Sequence, residues 1–201
     1  MKNQKIKDEE LDDFMDNRFQ YSLNIGLETT LKKIFEINKE DINTCLKYFK
    51  KCETIGWPSE FSKEDISLSK KFEFNSKKIV EEDNFVKFNL TKNRDKFLIK
   101  FMNEKLNINV INSFISCESY FAHLHDDKDV VEHSGQIMVV LENNGENIIY
   151  SVNESGIETT ICPNAGDVIF LNIWEKHAVL PSKNKSIKKI KENPIKLLCF
   201  N

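Results

Sequence analysis

All four histidines of the chain lie between positions 123 and 177. His125-Asp126-Asp127 places an imidazole and a carboxylate two residues apart, and His177 follows the run Gly166-Asp167-Val168-Ile169-Phe170-Leu171. On a strand, side chains at i and i+2 point to the same side. His125 and Asp127 can therefore grip one metal ion, with His177 supplied by a returning strand. Two imidazoles and one carboxylate on one face of an ion leave its other positions open, a ligand set suited to iron(II).

Strands must position these side chains, and the second half of the chain supplies them. Candidates run over 107–115, 119–125, 136–142, 147–153, 157–162, 167–172, 176–181 and 195–200. Asn143-Asn144-Gly145, Glu154-Ser155-Gly156 and Pro163-Asn164-Ala165-Gly166 provide turn chemistry between several of them. About eight short strands in a row predict two packed antiparallel sheets, a jelly roll. His125 would close the second strand and His177 open the seventh, two places that meet at the mouth of such a barrel.

The first half reads as helical. Leu11, Phe14, Met15, Phe19 and Leu23 recur near helical spacing. Asp41 is expected to cap a segment carrying Cys45, Tyr48, Phe49 and Cys52. Ser62-Lys63-Glu64-Asp65 resembles a capping box with Asp in place of Glu. After a short strand near 85–90, Asn93 or Asp95 opens a helix that turns Phe97, Leu98, Phe101 and Met102 inward. The expectation is a mainly β protein with N-terminal helices, one compact domain overall. A helical part, 1–105, packs on one outer sheet face, and 106–201 form the jelly-roll core.

Composition narrows the class. A chain of 201 residues buries roughly 70% of its unfolded surface and needs no disulfide staples. Its five cysteines show no paired C-x-x-C spacing. With a charged N-terminus and no apolar run near the roughly 18 residues of a membrane span, the expectation is a cytoplasmic protein with no membrane partner. The net charge of −3 gives no general pull toward nucleic acid, and the one lysine-dense stretch, Lys183 to Asn193, reads as a solvated loop.

His125-Asp126-Asp127, together with Gly166-Asp-Val-Ile-Phe-Leu-Asn-Ile-Trp-Glu-Lys-His177-Ala-Val-Leu-Pro181, resembles the Fe(II)- and 2-oxoglutarate-dependent oxygenases over residues 106–201. That family folds as a double-stranded β-helix, the eight-strand jelly roll. The resemblance implies Fe(II) held by His125, Asp127 and His177 as the catalytic centre. It also implies 2-oxoglutarate as cosubstrate, and a reaction with dioxygen that yields succinate and CO2. The substrate class it implies is an amino acid, a peptidyl side chain or another small metabolite, which is hydroxylated. Asp127 keeps a carboxylate where Gly or Ala would open a halide position, so oxidation is expected rather than halogenation. In the family a basic residue early in the eighth strand, usually Arg, holds the far carboxylate of 2-oxoglutarate. The matching residue is Lys196, with Lys188 and Lys189 as alternates should that strand begin earlier. The interval from His177 to Lys196 is longer than usual, and Lys offers a point charge where Arg offers a fork.

Two further readings stand beside it. His123-Leu124-His125 is an H-x-H, and a cupin-type metal dioxygenase or isomerase would use His123, His125, Glu132 and His177. Asn172 and Trp174, however, stand where the second cupin motif carries Pro and Gly. The third reading is a non-catalytic jelly-roll binding module. His123 is otherwise expected to line a pocket beside the metal, Trp174 to pack under the metal-bearing turn or stack on substrate, and His133 to sit in an exposed loop. Ser151, Thr159 and Thr160 are candidates to line the barrel.

Overall fold

Strands buried on both faces read as continuous apolar runs, and the chain has three: Met138 to Leu141, Val168 to Leu171 and Leu197 to Phe200. Each forms part of a central strand in the computed structural model, which describes residues 29–49, 54–56, 62–75, 79, 85–87, 92–93, 95–107, 114–127, 135–172, 174–183 and 187–200. In chain order the elements are β1 (Lys32–Glu36), α1 (Lys39–Leu46), β2 (Thr54–Gly56), α2 (Lys63–Lys71), β3 (Phe85–Lys87), β4 (Lys92–Asn93), α3 (Lys96–Leu106) and β5 (Phe114–Ser119). Then follow β6 (Ala122–His125), β7 (Gly135–Glu142), β8 (Ile148–Val152), β9 (Glu158–Ile161), β10 (Asp167–Asn172), β11 (Lys176–Leu180), α4 (Ile187–Glu192) and β12 (Ile195–Phe200).

The strands form a large sheet of order β1-β10-β7-β12-β5-β4, a small sheet of order β6-β11-β8-β9, and the pair β2-β3. All pairings are antiparallel. This is a jelly roll, mainly antiparallel β with helices, as the strand pattern predicts. Strand alternation divides its core. On β12, Ile195, Leu197 and Cys199 join the cluster that also holds Met138, Val140, Ile169, Leu171, Ile149 and Val179 from the two facing sheets. Leu198 and Phe200 point the other way, into a second cluster with Val139, Leu141 and Val168. Cys45 of α1 and Leu98 and Met102 of α3 close that second cluster.

Several expectations shift. The helices do not share one sheet face. Helices α1 and α3 cover the large sheet, whereas α2 docks on the small one through Glu64–Lys176, Lys71–Glu158 and Asp65–Leu124 contacts. Residues before 105 also contribute sheet, since β1 and β4 are the edges of the large one. The strand expected at 107–115 does not begin at 107, since α3 runs on to Leu106 and ends on Asn107 in the left-handed region; β5 covers Phe114–Ser119, and 108–113 lie outside the described residues. Part of the lysine-rich stretch folds as α4 rather than loop. Helix α1 is capped by Asn38, whose side chain accepts from the Asp41 N–H, so Asp41 is the third helical residue and not the cap. Asp95 does cap α3, and Ser62 with Asp65 forms the capping box on α2. The apolar series from Leu11 to Leu23 lies outside the described residues, as do Glu132 and His133. Among the described residues no helix is long and apolar enough to cross a membrane.

The turn before β10 ties the N-terminal part to the large sheet. Gly166 has φ +98°. Its N–H donates to the Val140 carbonyl at 2.8 Å, and its carbonyl accepts from Ile37 N–H at 2.8 Å. A Cβ there would stand 2.7 Å from the Ile37 carbonyl oxygen. Gly166→Ala is therefore expected to destabilise the fold by more than about 1 kcal/mol, read as a lower urea midpoint with an unchanged slope. An unchanged midpoint would mean that this turn is free to relax.

Candidate metal centre

The site begins with the pairing of β6 and β11. His177 lies directly across from His125, whereas Val179 lies across from Ala122. Three steps along β6 thus answer two along β11, which is a β-bulge on β6. The bulge breaks the i, i+2 rule: His125 and Ala122 keep the faces of their partners, and the extra residue turns His123 away. Pairing of β11 with β8 and of β8 with β9 puts His177, Ser151 and Thr159 in one row. The neighbouring row, Lys176, Val152 and Glu158, faces the opposite side.

Three donors converge from these strands. The candidate ligand atoms of His125, Asp127 and His177 all lie within 4.8 Å of one another. His125 Nε2 is 3.7 Å from Asp127 Oδ1, and His177 Nε2 is 3.4 Å from Asp127 Oδ2. The ring centroids are 4.5 Å apart. Each imidazole is oriented by its other nitrogen. His125 Nδ1–H donates to the His123 carbonyl at 2.5 Å, and His177 Nδ1–H donates to the Glu175 carbonyl at 3.0 Å. A carbonyl only accepts, so Nδ1 carries a proton in each ring, and the tautomer that this selects presents its Nε2 lone pair inward.

Electrostatics fit a cation at this point. Burial is the largest cause that lowers the His125 pKa; the neighbouring His177 imidazole adds to it, and the His123 carbonyl and Asp127 oppose it. Burial raises the Asp127 carboxyl, but the close approach of the His177 ring and, less strongly, of the His125 ring outweighs it and holds the group below the ordinary carboxylate range. Two inward lone pairs and a carboxylate repel one another unless a proton or a metal ion stands among them. The gaps approach the ~3 Å that separates neighbouring donors when bonds of about 2.1 Å meet an ion at right angles. The donor set therefore fits one divalent ion with open positions.

The other residues singled out from sequence go elsewhere. His123 donates from Nδ1 to Asp65 Oδ2 at 3.1 Å on the α2 side and is not one of the three converging donors, while Glu132 of the cupin reading lies outside the described residues. Trp174 does not pack beneath the turn; it is 58% exposed, at the rim of a cavity of about 630 Å³. This cavity lies against the opposite face of the small sheet from His177, between α2 and the Lys176–Val152–Glu158 row. Asp126 also lines it, one residue from Asp127. Lys196 is not brought to the three donors. Its alternation on β12 sets it with Leu198 and Phe200, away from the space between the sheets, and its Nζ pairs with Glu142 Oε2 at 2.7 Å. Lys188 and Lys189 are exposed on α4. Ser151 and Thr159 do face the His177 side, whereas Thr160 is exposed on the other.

One residue of this region carried no signal in the sequence. Glu175 is buried, and its carboxylate accepts from Thr30 N–H at 2.8 and 3.0 Å and from Ser151 Oγ at 2.9 Å. Its side chain thereby pins the residue whose carbonyl orients His177. A lone Glu in a polar turn before a strand looks like any solvated charge.

No protein-family model matches the chain, and no curated protein does. Solved structures similar to it include AviO1 from Streptomyces viridochromogenes Tue57, at 10% identity over 90% of this chain and 93% of that one, with a TM-score of 0.47. A Pseudomonas putida prolyl-4-hydroxylase is similar at 11% identity over 88% of this chain and 94% of that one, with a TM-score of 0.42. An oxidoreductase of the 2OG-Fe(II) oxygenase family from Burkholderia pseudomallei is similar at 14% identity and a TM-score of 0.38; the match covers 53% of this chain and only 51% of that one. Several of the structures similar to this chain are thus 2OG-Fe(II) oxygenases, a weak likeness that assigns no activity to it.

Proposed function

We propose that the chain is an Fe(II)- and 2-oxoglutarate-dependent oxygenase that hydroxylates an amino acid, a peptidyl side chain or a small metabolite. The observation that carries this reading is the inward pair of Nε2 lone pairs on His125 and His177 facing the carboxylate of Asp127. Fe(II) bound there, with 2-oxoglutarate and dioxygen, supplies the oxidising power through decarboxylation to succinate and CO2. The protein's own part is to hold three donors on one side and leave the other positions open. The Nδ1 hydrogen bonds fix both rings before any ion arrives, so little ordering is left to the binding step.

Metal binding is testable without a substrate. His125→Ala and His177→Ala should each abolish tight binding of Fe(II) or Co(II) in anaerobic titration, and wild-type affinity in either would sink the assignment. Because the His125 pKa is lowered, its ring stays neutral below the ordinary imidazole value of about 6.5. Co(II) binding should accordingly persist somewhat below that pH and fall off as the donors protonate in stronger acid; binding that weakens on raising pH from 5 to 7 would contradict the donor set.

The cosubstrate has its own test. Anaerobic addition of Fe(II) and 2-oxoglutarate should give the visible charge-transfer band of the chelate. Metal binding without that band would retain the metal centre but remove 2-oxoglutarate from it. From its outward placement, Lys196→Ala should remove only a partly exposed ion pair, worth about 0–1 kcal/mol, and leave 2-oxoglutarate binding unchanged. A large loss of 2-oxoglutarate affinity with intact metal binding would restore Lys196 to the anchoring role that the family resemblance implies.

A further inference from the structure

We propose that Asp65 is a positioning residue of the metal centre: from the first turn of α2 it locks the β6 bulge that turns His123 outward and sets His125 opposite His177. The proposal rests on the metal-dependent reading above.

A bulge leaves backbone groups of the bulged strand without their ladder partners, and here one side chain takes up one of them. Asp65 Oδ1 accepts from Leu124 N–H at 3.0 Å, within the bulge itself. Its Oδ2 accepts from His123 Nδ1–H at 3.1 Å, from Ser62 N–H at 3.0 Å and from Ser62 Oγ at 2.7 Å. Asp65 is only 3% exposed. Burial would raise its carboxyl, but the hydrogen bonds from His123, Leu124 and Ser62 prevail and hold its pKa near 2, so it remains a full acceptor at neutral pH. The His123 ring, also against Phe121 in an edge contact with centroids 5.2 Å apart, is thus tethered at both sides. Its carbonyl, in turn, receives the Nδ1 proton of metal ligand His125. The chain of contacts runs from helix cap to bulge, from bulge to carbonyl, and from carbonyl to ligand.

Without that carboxylate the extra residue has no anchor. A strand slip of one residue exchanges the faces of its side chains: closing the bulge with the His125 end fixed would bring His123 to the same side as His125, and closing it with the Ala122 end fixed would turn His125 away from His177. The coupling is also reciprocal. If α2 favours the metal-ready register, an ion that holds that register must favour the docking of α2 by an equal free energy. Glu64, Ser67, Leu68 and Lys71 of α2 form one wall of the cavity that Trp174 rims, so loading the metal would also firm that wall.

The comparison that separates positioning from simple folding is Asp65→Asn against Ser62→Ala. The serine change removes the α2 cap, at about 1 kcal/mol, but leaves Asp65 on Leu124 and His123. Asparagine keeps a single acceptor oxygen and cannot hold both. The expected result is a loss of Zn(II) and Co(II) affinity of about 10–100-fold for Asp65→Asn, with Ser62→Ala near wild type. In hydrogen exchange, Zn(II) should increase protection of the α2 and Leu124 amides in wild type and fail to do so in Asp65→Asn. Equal metal affinities in the two variants, or α2 protection indifferent to metal in wild type, would overturn the proposal. If wild type binds neither ion, the metal reading itself fails. The clamp is then judged in the metal-free protein: the His125 Nδ1–H signal in nitrogen-resolved NMR should be present in wild type and lost in Asp65→Asn, and its survival there would reject the clamp.

Discussion

Two hydrogen bonds of the same kind, from imidazole Nδ1 to the carbonyl two residues earlier, fix the direction of both rings that face Asp127. Such a bond is local, so it is only as steady as the backbone that carries the carbonyl. For His177 the carbonyl belongs to Glu175, just before β11, whose buried side chain is held by Thr30 and Ser151. On β6 it belongs to His123, whose ring is held by Asp65. The small sheet therefore borrows rigidity from outside itself: from the segment leading into β1 on one side and from α2 on the other.

The large sheet plays the complementary part. Its central strands are buried on both faces, between the small sheet and helices α1 and α3. Burial of this kind stabilises without regard to direction, so it makes a stiff base but cannot aim a side chain. Aiming falls to polar contacts at the ends of the small-sheet strands. Cys45 shows the chemistry of the base: burial, with the nearby Asp41 charge adding to it, pushes its thiol up to about 12, so it behaves as one more apolar group.

Much of this was legible in the sequence. The succession of short strands and the jelly roll followed from short apolar runs and turn residues, and β7 through β12 lie within a residue or so of their expected places. The convergence of His125, Asp127 and His177 was legible because ligand-bearing side chains cluster at strand ends in a recognisable order. The cap on α2 was visible from Ser62 and Asp65, but its second duty was not, because nothing in a helix start says which distant strand it will touch. The facing of Lys196 was not legible, for a physical reason. An intermediate, charged residue next to an apolar run looks the same whether it leans into a barrel or out of it, and only the division of Ile195, Leu197 and Cys199 from Leu198 and Phe200 tells the two apart. Of the expected first-half helices that fall among the described residues, α1 and α3 pack on the large sheet, and α2 is drawn to the small sheet by ion pairs and by Asp65, a choice that amphipathicity alone does not encode.

His-x-His strings are commonly read as though both rings must look the same way. In this chain a single supernumerary residue works like a shift of reading frame: the letters His123-Leu124-His125 are unchanged, yet one imidazole faces Asp127 and His177 and the other a helix. Donor identity is then a matter of counting along the strand and not of chemistry, since the two rings are the same molecule. A sequence differing from this one only by an insertion or deletion between Ala122 and His125 would keep every candidate ligand and still build a different centre.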